Sequence, residues 1–291
     1  MIRRPVVLAP LVVAACGRGG PTIPLRYHPP AGAVYHYALE QNTKVTMRSG
    51  PLTGMGQQQL TMRMHFTQTI KGPTADGAGT EVQVVFDSTT MDMPGVPSDA
   101  AERELAQMRG LRSTVVFDER ARLVRSDFEA QPGVTPEMAN QMGAGIKAMT
   151  FAFPEQPVGR GDSWTVSTEL PLGQVPGADA SSAGPAHTTL TVREIRATAA
   201  DTSVFLSIKT IFPTGPIKLA LGGLGGLGPG ATLKLSGALA GDQQFSLTRG
   251  AVVNGTVKGA ITMDITAAML GSRAMAMSSE TESVIRLVDA K

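Results

Sequence analysis

Between Leu60 and Phe66 the side chains alternate without a break: Leu60, Met62, Met64 and Phe66 are apolar, and Thr61, Arg63 and His65 are polar. A β-strand turns successive side chains to opposite faces, so this period of two calls for a sheet with one dry face and one wet face. The same period returns at 35–45, 81–91, 112–117, 122–128, 163–170, 188–196, 203–212, 232–237, 244–248, 251–257 and 260–266, and within 274–288. Gly, Pro, Asp and Asn gather between these runs, as turns require. The expected fold is mainly β: two related, curved antiparallel sheets, half-barrel-like and arising by tandem duplication, with one or two short helices.

Only two stretches have helical spacing. Residues 98–109 begin with Ser98 as an N-cap and carry Asp99 and Glu102 at the positive helix start. Residues 136–149 have Thr135 as N-cap, Pro136 at the first helical position, and Met138, Met142, Ile146 and Met149 on one face. Duplication is suggested by three matches in the same order: 32–37 with 161–166, 66–70 with 190–195, and 117–123 with 247–253. The last pair reads as a strand, a tight turn and a strand. The expected organisation is a first β unit over 25–150, with both helices, and a second over 151–291.

The N-terminus carries a different message. Arg3 and Arg4 precede a short apolar run that ends Val13-Ala14-Ala15-Cys16. A basic start, a greasy middle too short to span a bilayer and a small-residue cleavage site make an export signal over 1–15. Val13 to Cys16 resembles the lipobox of bacterial lipoproteins. That resemblance implies cleavage before Cys16, a lipid on its thiol, and a tether over 16–24 holding the fold to the cell envelope. If the cell has an outer membrane, its periplasmic face is favoured, since Gly17 stands where some retained lipoproteins have aspartate. A signal cleaved without lipid is the alternative. Cys16 is the only cysteine, so no internal disulfide is available to give it another role.

Charge excludes some partners. The 26 basic and 24 acidic side chains include Arg3 and Arg4, so removing the signal leaves 26 − 2 = 24 of each sign. No basic patch argues for nucleic acid. The four histidines, His28, His36, His65 and His187, lack metal-ligand spacing, and no Gly-x-Ser-x-Gly elbow marks a hydrolase. The glycine-rich 222–230 lacks the Lys and helix of a phosphate loop, and reads as a plain loop or an apolar flap. No cofactor is expected.

The 15 methionines suit either an irregular core or a greasy cavity. Candidate lining residues are Met138, Met142, Ile146, Met149, Leu221 and Leu224. Long amphipathic strands after a lipobox are similar in architecture to the half-barrel lipid carriers of bacterial envelopes, the LolA, LolB and LppX groups. This implies a sheet wrapped around a helical plug, with acyl chains between. Residues 153–164, with a proline followed by Val158-x-x-Gly161-Asp162-x-Trp164, resemble a pattern in uncharacterised secreted bacterial lipoproteins, which implies no activity. The functional expectation is a non-enzymatic, lipid-anchored envelope protein that binds a lipid-like ligand. The alternatives are an envelope scaffold acting through protein contacts, and an envelope hydrolase.

Overall fold

The computed structural model describes residues 21–49, 56–94, 105, 108–129, 143, 150–170, 182–213, 215–219, 231–267 and 275–290. Twelve strands account for most of them: β1 (Val34–Ser49), β2 (Gln57–Pro73), β3 (Thr80–Asp92), β4 (Arg112–Phe117), β5 (Leu123–Phe128), β6 (Ser163–Thr168), β7 (Ala186–Ala197), β8 (Thr202–Ile211), β9 (Pro216–Lys218), β10 (Thr232–Ser246), β11 (Ala251–Thr266) and β12 (Met275–Ala290). Leu105 and Gly143 are helical, within the two stretches expected to be helices. The rest of those stretches lies outside the described residues.

All twelve strands join one antiparallel sheet, so the two expected sheets are continuous. Its order is β5-β4-β3-β2-β1-β12-β11-β10-β8-β7-β6, with β9 on β10. This is an up-and-down meander running round in one sense. The pairing of β1 with β12 joins the first strand to the last, and among the described strands β5 and β6 are left as edges, so the sheet is curved but unclosed. The curvature is visible in the packing. Val82 and Val115, from β3 and β4, share one buried cluster with Leu190, Val192 and Leu206, from β7 and β8. Strands that far apart in the sheet meet only if it curls round on itself.

That cluster fills one end of the curl. Two irregular segments plug it, contributing Leu25 and Tyr27 from one and Phe153 and Val158 from the other. Ile23 and Val158 exchange backbone hydrogen bonds at 2.9 Å, the Tyr27 amide donates to the Glu119 carbonyl, and the Phe153 amide donates to the Arg120 carbonyl. Ile23, placed in the tether on sequence grounds, is therefore already tied to the body. The Phe153 ring meets Phe245 edge-on at 4.9 Å.

The 158–164 pattern is structural at every fixed position. Val158 pairs with Ile23, Gly161 takes a left-handed φ of 90°, and the Asp162 carboxylate accepts the Gly159 amide at 2.8 Å. Trp164 Nε1 donates to the Ala152 carbonyl at 2.8 Å, which fastens β6 to the plug.

Two strands are longer than the periodicity suggests. The runs at 232–237 and 244–248 belong to β10, and those at 251–257 and 260–266 belong to β11. Glycines cause the apparent breaks. Gly237, Gly241 and Gly259 occupy inward positions, where a Cβ would collide with the carbonyls of Ala260, Thr256 and Ala238. Their absence of side chain lets the two strands bend together without loss of pairing.

Candidate functional site

Register decides what the inside of the curl presents. Across β2, β1 and β12, Phe66, Tyr37 and Leu287 form one inward row at the plugged end. Further along come Met64–Leu39–Ile285, then Met62–Gln41–Ser283, then Leu60–Thr43–Thr281. Beyond those, Met47, Met277 and Met263 lie side by side across β1, β12 and β11, followed by Leu235 on β10. Met91 extends the Met62 row onto β3, and Met275 pairs with Ile265.

Burial separates the two ends. Tyr35, Tyr37, Ile70, Val82 and Leu190 are fully buried, whereas Leu39, Leu60, Met62, Met64, Met47, Met263, Met275 and Met277 are only half-buried. An apolar face that stays partly wet in a folded chain marks a binding surface more often than a core. Seven methionines on it supply a soft, adaptable lining that accommodates irregular apolar shapes. On the β9–β10 side a second cluster of Ile217, Leu219, Leu233 and Leu235 closes the face off. Ile217 and Leu219, just before the glycine-rich segment, are thus core.

The outside is chemically opposite. Every charged or histidine side chain of the described strands takes an outward position. Examples are Glu40 with Arg63 at 3.8 Å, Lys258 with Glu282 at 2.7 Å, and Arg48 with Asp264 at 3.7 Å. His36 Nδ1 lies 2.9 Å from Thr67 Oγ1, which donates to Asp87 at 2.7 Å. The hydroxyl stands between the ring and the carboxylate, so the trio lacks the hydroxyl–imidazole–carboxylate order of a nucleophilic triad. Among the described residues no three His, Cys, Asp or Glu gather as a metal site would need.

The residues singled out from sequence fall elsewhere. Cys16, Met138, Met142, Ile146, Met149, Leu221 and Leu224 lie outside the described residues. Gly143, on the second expected helix, sits with its Cα hydrogens beside Ser126 and Phe128 of β5. The stems of the glycine-rich segment are held, with the Leu219 amide donating to the Ala231 carbonyl at 3.0 Å, at the methionine end. The strand methionines were missed as a group because their meeting depends on the β1–β12 pairing. The available signal was their two-residue spacing, at Met62 with Met64 and at Met275 with Met277.

No known family and no curated protein matches this sequence. Among solved structures, one of lipovitellin concerned with its lipid–protein interactions superposes with a TM-score of 0.53 at 10% identity, over 90% of this chain and 26% of lipovitellin. In fold, the chain is similar to part of lipovitellin. It spans about a quarter of that protein's length. Weaker matches are DynF from the dynemicin biosynthesis pathway of Micromonospora chersina and a DUF1329 family protein from Desulfovibrio piger. These have TM-scores of 0.23 and 0.21, identities of 10% and 9%, and cover 98% and 88% of this chain and 92% and 85% of theirs.

Proposed function

We propose that this protein is a non-enzymatic, lipid-anchored component of a bacterial cell envelope that holds a lipid-like ligand against the inner face of its sheet. The carrying observation is the half-buried apolar face of β1, β2, β11 and β12, with Met47, Met277 and Met263 in one cross-strand row. Likeness of fold to a lipid-associated protein supports the reading. The lipobox-like Val13 to Cys16 supports the anchor, and tandem duplication is proposed on the three sequence matches.

The test uses protein freed of co-purified lipid and titrated with Nile red, a neutral apolar dye. Saturable uptake is expected, weakened at least tenfold by Met277→Asp, which places a charge in the methionine row at a cost of more than about 1.4 kcal/mol. Thermal unfolding of the same variant checks that it still folds. A wild-type protein that takes up no dye would reject the ligand role. The edges of β5 and β6, which no described strand pairs, favour a second reading, contact with a protein partner by strand addition. That reading predicts a stable partner and no dye uptake.

A further inference from the structure

The lining described above has a polar content that binding of a bare hydrocarbon does not require. Gln41, Thr43, Ser279, Thr281 and Ser283 form an island on β1 and β12, inward-facing and half-buried, between the plugged end and the methionine row. Gln41 Nε2 donates to Thr43 Oγ1 at 3.3 Å, and the Thr43 and Thr281 hydroxyls lie 3.2 Å apart. The hydroxyls of Ser279 and Ser283 make no protein hydrogen bond among the described residues.

A second observation points the same way. On β3, Thr89 faces inward opposite Met64, is only 8% exposed, and its Oγ1 has no hydrogen-bond partner among the described residues. A buried hydroxyl left without a partner is costly, so Thr89 Oγ1, like Ser113 Oγ and Ser126 Oγ, has room for a bond to a water or a ligand oxygen.

Among the described strands no charge accompanies these groups, since every Asp, Glu, Lys, Arg and His on them is outward. An ionised head group drawn into this lining would meet no counter-ion and would lose its water. A hydroxyl, ester or amide would find both donors and acceptors, because Ser, Thr and Gln each offer both.

We infer that the ligand is an uncharged amphiphile, of the acylglycerol or fatty-alcohol class, whose hydroxyl or ester oxygens bond to the Gln41–Thr43–Ser279–Thr281–Ser283 island while its chain lies on the methionine row. This rests on the lipid-holding role proposed above and adds the chemistry of the head group. It separates neutral lipids from fatty-acid anions and phospholipids, whose charge this lining does not match.

The test is displacement of bound Nile red by two ligands sharing one chain: 1-monopalmitoylglycerol, and palmitate at pH 8, both kept below their micelle concentrations. The neutral lipid is expected to displace the dye at a concentration at least tenfold lower. Replacing Thr281→Val and Ser283→Ala together keeps side-chain size nearly unchanged and suits a strand. This double variant is expected to shrink the gap to less than threefold by weakening only the monopalmitoylglycerol. Palmitate binding as well as the neutral lipid, or a gap that the double variant leaves intact, would overturn the inference and leave the lipid-holding role standing. Bound dye that neither ligand displaces would overturn it too. Failure of the dye itself to bind would instead remove the role on which the inference rests.

Discussion

At the scale of single residues, two aspartates fasten turns at the plugged end. Asp201, between β7 and β8, accepts from Ser246 Oγ at 2.6 Å and from Ser203 Oγ at 2.9 Å. Ser246 is completely buried and also accepts the Arg249 amide, so one carboxylate ties two hairpins together. Replacing Asp201→Ala leaves that buried hydroxyl without its charged acceptor. The expected loss is about 2–3 kcal/mol in urea unfolding, and a change below about 0.5 kcal/mol would show that the network is dispensable. Asp118, in the β4–β5 turn, accepts the Arg120 and Arg122 amides at 2.9 Å and the Arg122 guanidinium at 2.6 Å. Burial works to raise both carboxyls, but hydrogen bonds outweigh it and hold both below the usual aspartate range. A depressed folded-state pKa means that the unfolded chain takes up protons first as pH falls. The stabilisation from both groups is therefore complete above about pH 4 and lost below it. The urea midpoint should stay level from pH 7 to about pH 4 and then drop. A midpoint unchanged down to pH 2.5 would contradict this assignment.

At the scale of elements, the glycines of β10 and β11 decide how tightly the sheet can bend. Gly241→Ala puts a methyl group into the Thr256 carbonyl, whereas Gly215, in the connection before β9, has open space around its would-be Cβ. Gly241→Ala should lower stability by more than about 2 kcal/mol, and Gly215→Ala by less than about 0.5 kcal/mol. Equal effects, read as melting temperatures, would dissociate curvature from Gly241. These glycines also explain what sequence could and could not reveal. Alternation between Leu60 and Phe66 identified both faces of that part of β2 correctly, because Leu60, Met62, Met64 and Phe66, its inward positions, are all apolar. In β10 and β11 the inward positions include Gly237, Gly241, Gly255 and Gly259, so the apolar signal lapses and each strand reads as two. The three residues of β9 are too few to show any period. Likewise, the methionine row joins Met47 to Met277, residues far apart in the chain that nothing local connects.

At the scale of the whole molecule, the two halves share what stabilises them. The main cluster draws Tyr37, Val82 and Val115 from the first half and Leu190, Leu206 and Phe245 from the second, with Phe153 between. Moreover β12, in the second half, has β1 as one of its two neighbours. Residues 151–291 expressed alone therefore should not give a cooperative thermal transition, even if the halves arose by duplication. A sharp transition from that fragment would show that the second half is an independent domain. The proposed anchor is tested on the full chain: Cys16→Ala should move the protein from the membrane fraction to the soluble envelope fraction, and unchanged retention would argue against lipidation.

Between β5 and β6 no described strand bridges the gap. A closed barrel has a girth set by its strand number and stagger, and widening it means breaking rungs of the backbone ladder. Here the circumference ends at a seam, so the wall can spread or tighten there with every existing rung intact. The resistance comes from the plug, whose Phe153 amide donates to the Arg120 carbonyl beside one lip and whose Ala152 carbonyl accepts Trp164 Nε1 on the other, and from side chains such as Phe128 and Trp164, both only partly buried against the core. Under the ligand-holding role proposed above, such a wall would fit its bore to its contents and would admit a ligand sideways as well as through the mouth.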